Sequence, residues 1–378
     1  LPRTFDADRI DSSLFPAAVW SRLEGKRVRA HGARPLQCTA LQGLAALRGL
    51  IAQHLLLTRG LACDLEQIVI VQAAHQAIDL LARLLLNPNE EVWIEDPGST
   101  SLKSLLASTG ARVVPVPVDE DGLRVDEGVL AAPRARMACT TTGVQMPLGL
   151  PLSAARRESL LSWARAAGAY VLDEDREGDV FLDGHPPACL KAIDTHDRVI
   201  HVGHLDASMG HGVRLGYLVL PRNLVDPVCA AMAITQTRPS LMDQAVLHDF
   251  MADGHWSRHL HELRAVYRGR ADALRHNLDK HFGRWLRIAP AQRGLNVTAW
   301  LPTATRDADI ARRAADAGVS VTPLSAYRMH HPVKGGLRLG FAAFSEPNIH
   351  AGVLQLARAL DGRATPQVAR RSKQRPTE

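Results

Sequence analysis

Residues 198–220, RVIHVGHLDASMGHGVRLGYLVL, have the outline of a reactive centre: an apolar strand, a glycine turn, a loop, an arginine and a second strand. His201, His204, Asp206 and His211 put imidazoles and a carboxylate into that stretch, and His201 and His204 are spaced as metal ligands can be. Alternation, however, places His201 within the strand, and in a chain with 17 histidines such clusters arise by chance. No metal is assigned. The stretch also holds a fixed cation, Arg214. What the stretch lacks is an amine. Position 207, in the middle of the loop, is alanine, and the nearest lysine upstream is Lys191.

Other motifs carry less. HLHEL at 259–263 is not the HExxH of a zinc protease, because residue 265 is Ala265. The acidic run 173–179 reads as a solvated loop at a strand end. No GxGxxG follows the first predicted strand, which excludes a Rossmann-type dehydrogenase. Five scattered cysteines without a CxxC pair predict reduced thiols and a cytoplasmic chain. No apolar run approaches the ~18–20 residues of a membrane span, and the start has neither the basic nor the apolar part of a secretory signal. The net charge of +6 comes from scattered arginine and a basic tail. With no basic face or aromatic platform, it does not predict direct nucleic-acid binding.

Periodicity supplies the elements that must position these residues. Leu44, Leu47, Ile51 and Leu55 recur at three- and four-residue spacing and predict a helix over 41–58, stopped by Gly60. Short apolar runs then alternate with helical stretches. Strands are predicted at 67–71, 91–95, 112–118, 136–140, 169–173, 198–202 and 213–220, and helices at 74–86, 102–108 and 154–167. Strands interleaved with helices imply a mostly parallel sheet covered on both faces. Beyond residue 224 the chain turns helical, with two or three helices in 243–282. Strands at 285–301, 319–323 and 336–342 and a helix at 349–360 follow. The expectation is an α/β fold with a large seven-stranded domain at 51–254 and a smaller α+β domain at 255–363. Residues 1–36 read as irregular except for a short amphipathic piece near 14–23; residues 1–50 join the smaller domain, and 364–378 form a disordered basic tail.

This order of pieces resembles the fold type I, pyridoxal phosphate (PLP) dependent aminotransferases, of the aspartate aminotransferase-like kind. It most resembles the aminotransferase-like domain of MocR-type regulators in the GntR family. The resemblance spans about residues 10–362, through ALRGLIAQHLLLTRG, QIVIVQAAHQAIDLLARLLLNP, EDPG, VPVDEDGL, QMPLG, RRESLLSWARAAGAYVLDED, RVIHVGHLDAS, GVRLGYLVLP and GLRLGFAAFSE. It implies that Arg214 lies near a cofactor phosphate, and that Arg338 binds a substrate carboxylate with Tyr327 beside it. It places Glu174 at the ring nitrogen, and Gln145, Ala74, His75 and Ser208 at other cofactor positions. Several positions depart from the family pattern. The Schiff-base lysine is Ala207, the stacking aromatic is Ser99, the phenolate-donating tyrosine is Arg176, and the glycine before the phosphate cradle is Ala73.

Covalent anchoring and proton transfer both depend on that lysine. With these departures the resemblance implies a degenerate cofactor site and a scaffold kept without its catalysis. That would be the effector and dimerisation domain of a MocR-type transcriptional regulator: a homodimer that takes a small anionic ligand. It would reach DNA only through an upstream helix-turn-helix module, hold no cofactor covalently, and have PLP as a doubtful ligand. The other reading is an active PLP-dependent aminotransferase of class I/II with an atypical site.

Overall fold

Runs of valine, isoleucine and leucine set the first layer. In the computed structural model, which describes residues 4–31, 41–182, 184, 186–210, 212–289 and 294–360, β1 (Ile68–Val71) is buried along its whole length. It is joined by β2 (Glu91–Asp96), β3 (Arg112–Asp119), β4 (Gly122–Leu123), β5 (Met137–Thr140), β6 (Tyr170–Asp175), β7 (Val199–His204) and β8 (Gly216–Val219). The order across the sheet is β1-β8-β7-β6-β5-β2-β3-β4. β3, β2, β5, β6 and β7 run parallel, β8 is antiparallel to both neighbours, and β4 folds back on β3. The seven expected strands are present, and the two-residue β4 makes an eighth. The parallel strands end on one rim, where Asp96, Thr140, Asp175 and His204 gather. Ligands of open α/β sheets bind at that rim.

Helices cover both faces. Leu23 of α1 (Ala17–His31) and Leu47, Ile51 and Leu55 of α2 (Ala45–Arg59) share a core with Ile68 and Ile70. On the other side α3 (Ala74–Leu85) buries Ala77, Ile78 and Leu81, one stripe of its surface. α4 (Thr100–Ser108), α5 (Val125–Ala131) and α6 (Ala154–Ala167) continue the cover, and the short α7 (Asp206–Met209) follows β7. Trp163 of α6 stacks on Trp93 of β2 with ring centroids 3.7 Å apart. Gly128 of α5 closes over the same indole, where a Cβ would lie 2.9 Å away. α1 corrects the expected short piece near 14–23. Its charged residues mask the period, so the 15-residue helix reads as irregular.

α8 (Arg222–Thr235), α9 (Leu241–Ala252) and α10 (His255–Phe282) lead into the second layer. There β9 (Arg287–Ile288), β10 (Asn296–Trp300), β11 (Thr322–Pro323) and β12 (Gly336–Gly340) form an antiparallel sheet in the order β11-β12-β10-β9. α11 (Asp307–Asp316) and α12 (Glu346–Leu360) pack over it through Ile310, Ala314, Ile349 and Val353. The single strand expected over 285–301 is two, because Trp285 closes a 3-10 turn and only 287–288 pair before the chain returns as β10. Residues 4–11 belong to this layer too. Thr4 bridges Val319, Phe5 is fully buried in the second core, and its carbonyl accepts from Gly340 N at 3.0 Å. The tail expected at 364–378 lies outside the described residues. Among the described residues no helix is long and apolar enough to cross a membrane.

Candidate functional site

The rim of the first sheet faces the second layer across two small cavities, of about 160 and 130 Å³, that share Arg176, Glu177 and Arg338. His204, Asp206 and Ala207 line the larger one together with Asp8, Arg9 and Ile10. Loop 144–150 and the β10 residues Asn296 and Thr298 line the smaller. Glu177 is the wall between them. Its Oε2 accepts from Leu295 N at 2.8 Å, and a Cβ on Gly294 would lie 2.0 Å from that oxygen. Both volumes fall well below the ~300–1,000 Å³ of drug-sized pockets and suit a small metabolite.

Glu174, one residue from the end of β6, is the electrostatic centre. Its side chain is 1% exposed, with Oε1 2.8 Å from His204 Nε2 and 3.2 Å from Arg176 Nη1. Burial pushes the carboxyl pKa up, but Arg176 and His204 outweigh it and hold the group far below the usual carboxylate range. Glu174 is therefore ionised. His204 is the counterpart: burial pulls its pKa down, while Asp206 and Glu174 bring it above the ordinary histidine value. Its Nδ1 faces Asp206 Oδ2 at 3.9 Å. The Glu174 contact is close but misaligned, since the ring N–H makes no directed hydrogen bond despite the 2.8 Å separation. His75, the second residue of α3, stands edge-on to His204 with centroids 6.1 Å apart, and burial lowers its pKa.

Across the cavity Arg338 is 5% exposed on β12. Its Nη1 donates to Tyr327 Oη at 2.9 Å and to Asp8 Oδ1 at 3.2 Å. With the Asn296 amide oriented to satisfy both neighbours, its oxygen accepts from Arg338 Nη2 at 2.8 Å and its nitrogen donates to the Ala7 carbonyl at 3.0 Å. Burial pulls the guanidinium pKa down, but Tyr327, Glu177 and Asp8 raise it overall, so Arg338 stays a cation.

Of the expected residues Arg338 lines the larger cavity and Tyr327 holds its guanidinium, while Glu174 and His75 stand against His204, which lines the same cavity, and Ala74 opens α3. It treats the other expected residues differently. Gln145 spends its amide on the scaffold: Nε2 donates to the carbonyls of Pro97 and Met146, and Oε1 accepts from Leu148 N. Ser208 Oγ donates to the Leu205 carbonyl at 3.1 Å. Arg214 is exposed and, among the described residues, makes no hydrogen bond or ion pair. Ser99 caps α4 through Leu102 N, which gives a helix-start reason for serine there. Lys191 does not replace the missing amine, because its Nζ donates to the Val199 carbonyl at 2.8 Å and pairs with Asp197.

The acidic run 173–179 is not a solvated loop. Asp173 accepts from Thr142 N, Thr142 Oγ1 and Leu190 N, and buried Arg59 ties Asp175 to Asp179. His201 points away from His204 toward Tyr217, whose ring fills the space where Gly203 lacks a Cβ. His211 lies outside the described residues, and among those described no group of three or more ligating side chains is placed to hold a metal. Sequence reasoning missed the central role of His204 and the shared wall at Arg176 and Glu177. Their signal was position: all three directly follow or end the strands that carry the rim.

A family model for aminotransferases of class I and II matches residues 22–356. The chain belongs to the aminotransferase class I and II family. Among curated relatives, the probable rhizopine catabolism regulatory protein MocR of Rhizobium meliloti is 29% identical, aligned over 92% of this chain and 70% of its own length. The 2-aminoadipate transaminase of Thermus thermophilus is 25% identical over 92% of this chain and 87% of its own. Among solved structures, Pyrococcus horikoshii kynurenine aminotransferase in complex with PMP matches with a TM-score of 0.85 at 23% identity, covering 94% and 90% of the two chains. Thermus thermophilus LysN, an α-aminoadipate aminotransferase complexed with a phosphopyridoxyl-leucine, matches at 0.84 with 24% identity, covering 95% and 92%. At these identities the structural likeness carries the fold: α/β, fold type I, with a large mixed sheet and a smaller α+β part.

These findings correct three expectations. The reading as a catalytically silent effector domain gives way, because the solved neighbours are aminotransferases and a transaminase aligns over most of the chain. The assignment to transcription regulation goes with it. Doubt about PLP as a ligand is corrected on the same ground, since both neighbours named carry PMP or a phosphopyridoxyl group. Losing one covalent anchor is not losing the site: Glu174 is held by Arg176 and His204, and Arg338 by Tyr327 and Asp8, and residue 207 is not among these partners.

Proposed function

We propose that the chain is a PLP-dependent aminotransferase of class I/II with an atypical site that holds its cofactor without a covalent link. The observation that carries this reading is the ionised, buried Glu174 on the rim, paired with His204, which lines the same small cavity as buried Arg338. The donor set fits such a group by charge. Glu174 suits a protonated ring nitrogen. The first turn of α3, begun by Ala74 and His75, offers free backbone N–H groups of the kind that receive phosphate. Arg214 and Ser208 remain candidates for the same phosphate, and Arg338, oriented by Tyr327 and Asn296, suits a carboxylate. Position 207 offers no amine and position 99 no ring, so the hold rests on ion pairs and hydrogen bonds.

When bound, PLP supplies the electron sink for breaking a bond at the amino-acid Cα. The chain's own groups bind and orient. Arg338 orients the carboxylate, Glu174 keeps positive charge at the ring nitrogen, and Glu177 closes the cleft against the second layer. The test is to titrate the purified chain with PLP, then supply an amino acid and a 2-oxo acid acceptor. A bound chromophore that borohydride does not fix, with a new 2-oxo acid formed, is the expected result. No binding and no transfer would end the reading.

We infer in addition a lineage near the aminotransferase-like domains of MocR-type proteins, supported by the 29% identity to the Rhizobium meliloti relative and tested by placing the chain in a tree of class I/II sequences. Domain limits near 51–254 and 255–363 and a homodimeric state belong to the same reading. Limited proteolysis and sedimentation test them.

A further inference from the structure

The carboxylate that a cationic ring nitrogen would need is already in use. His204 lies 2.8 Å from Glu174, and both side chains are almost wholly buried. We propose that His204 is the resident counter-ion of Glu174 and a specificity-determining residue of the site: a ligand reaches Glu174 only by displacing the imidazolium, which favours a cationic ring nitrogen and admits it more readily once His204 is neutral. This rests on the reading of the cleft as a PLP site.

Three features make His204 displaceable and not a fixed strut. The first is alignment. Its Nε2 makes no directed hydrogen bond, so the contact is Coulombic and lacks the angular preference of an N–H···O bond. The second is room. His204 lines the 160 Å³ cavity beside Ala207, whose side chain ends at Cβ. The third is a second acceptor. Asp206 Oδ2 lies 3.9 Å from Nδ1, on the opposite side of the ring from Glu174. Rotation about the side-chain bonds carries the charge from the inner carboxylate toward the outer one.

The exchange also balances charge. While His204 is charged, one cation leaves Glu174 as another arrives, so the buried carboxylate is not left with Arg176 alone. A neutral ring would leave it so, at the cost of an under-compensated buried ion. The groups facing His204 are Glu174 and Arg176 from β6 and its turn, His75 from α3 and Asp206 from α7. Asp8, Arg9, Glu177 and Arg338 complete the cavity wall. Of all these only the two histidines ordinarily change charge between about pH 5 and 8, and burial biases His75 toward its neutral form.

Equilibrium dialysis of PLP against the full chain from about pH 5 to 8 tests the proposal, with His204→Ser and His204→Gln as variants checked for folding by thermal melt. The phosphate of the ligand titrates alike in all three, so the readout is the difference between proteins. The wild type should gain roughly tenfold in affinity across the range beyond what the variants gain, and both variants should bind about tenfold tighter than wild type at the acid end. A PLP analogue with CH in place of the ring nitrogen should lose affinity for the wild type. Equal affinities and equal pH slopes in all three proteins would overturn the inference and leave the PLP reading standing. No PLP binding by any of them at any pH would overturn the PLP reading itself, and this inference with it.

Discussion

Glu95 and Glu174 each stand one residue before the end of a rim strand, yet burial and their neighbours push their pKa values in opposite directions. Glu174 has cations beside it. Glu95 accepts from the hydroxyl and backbone N–H of Thr141, at 2.7 and 3.3 Å, with the Gln145 amide also beside it, and burial pushes its pKa up to about 7. Between the ordinary value of 4.5 and about 7 the folded chain keeps a proton that the unfolded chain has released. Stability from this group is therefore full below pH 4.5 and lost as pH rises through 7. The total is at most ~3 kcal/mol. Glu95→Gln removes the titration, so its Tm relative to wild type should climb as pH goes from 5 to 8, and scanning calorimetry at each pH checks this. Ala207→Lys tests the same rim from the chemical side. It places an amine in the larger cavity, so with PLP an absorbance band at ~420 nm that borohydride abolishes should appear, and transfer should rise at least ~100-fold. At this scale the sequence was legible where a residue's role is set by its own charge and strand position, as for Glu174 and Arg338. It was not legible where the side chain's partner lies far along the chain. Gln145 looks like a ligand contact until Pro97, 48 residues away, takes its amide.

Elements were legible wherever burial is uniform or strictly periodic. The strands at 67–71 and 198–202 are short apolar runs and need no partner to be recognised, and α6 covers the 154–167 expected from its apolar residues, with Gly168 ending it in the left-handed region. α1 was not legible, because its one fully buried apolar residue, Leu23, sits among arginines and lysine that carry no period. Helix propensity and packing also pull in opposite directions at α5. Glycine there normally costs about 1 kcal/mol against alanine, so Gly128→Ala ought to stabilise by propensity alone. The indole of Trp93 occupies the space a methyl group would need, at 2.9 Å, and Trp163 backs it. The net expectation is a loss of ~1–3 kcal/mol, read from urea denaturation, and a gain would show that the paired indoles can shift.

The whole molecule is organised around a second layer built from both ends of the described chain. Phe5 packs with Val319, Leu339 and Val353 in one core, and Gly352 leaves the space its ring fills. Phe5→Ala should cost ~3–5 kcal/mol in denaturant unfolding. It should also weaken binding of a simple carboxylate such as maleate, because Ala7 and Asp8, which brace Asn296 and Arg338, lose their anchor. The division into two layers was legible from the change of pattern near residue 224. The return of residues 4–11 to the second layer was legible only through resemblance, since nothing in their composition names a partner some 300 residues away.

That return fixes a timetable for the making of the protein. A ribosome working at ~5–20 residues per second needs tens of seconds to pass from Phe5 to the strand and helix that receive it. Through that interval the first sheet can close, but Phe5 has nowhere to go and Arg338 does not yet exist. The cleft is finished only when residues 319–353 capture residues 4–11, so a nascent chain can carry a folded sheet and still have no site to occupy.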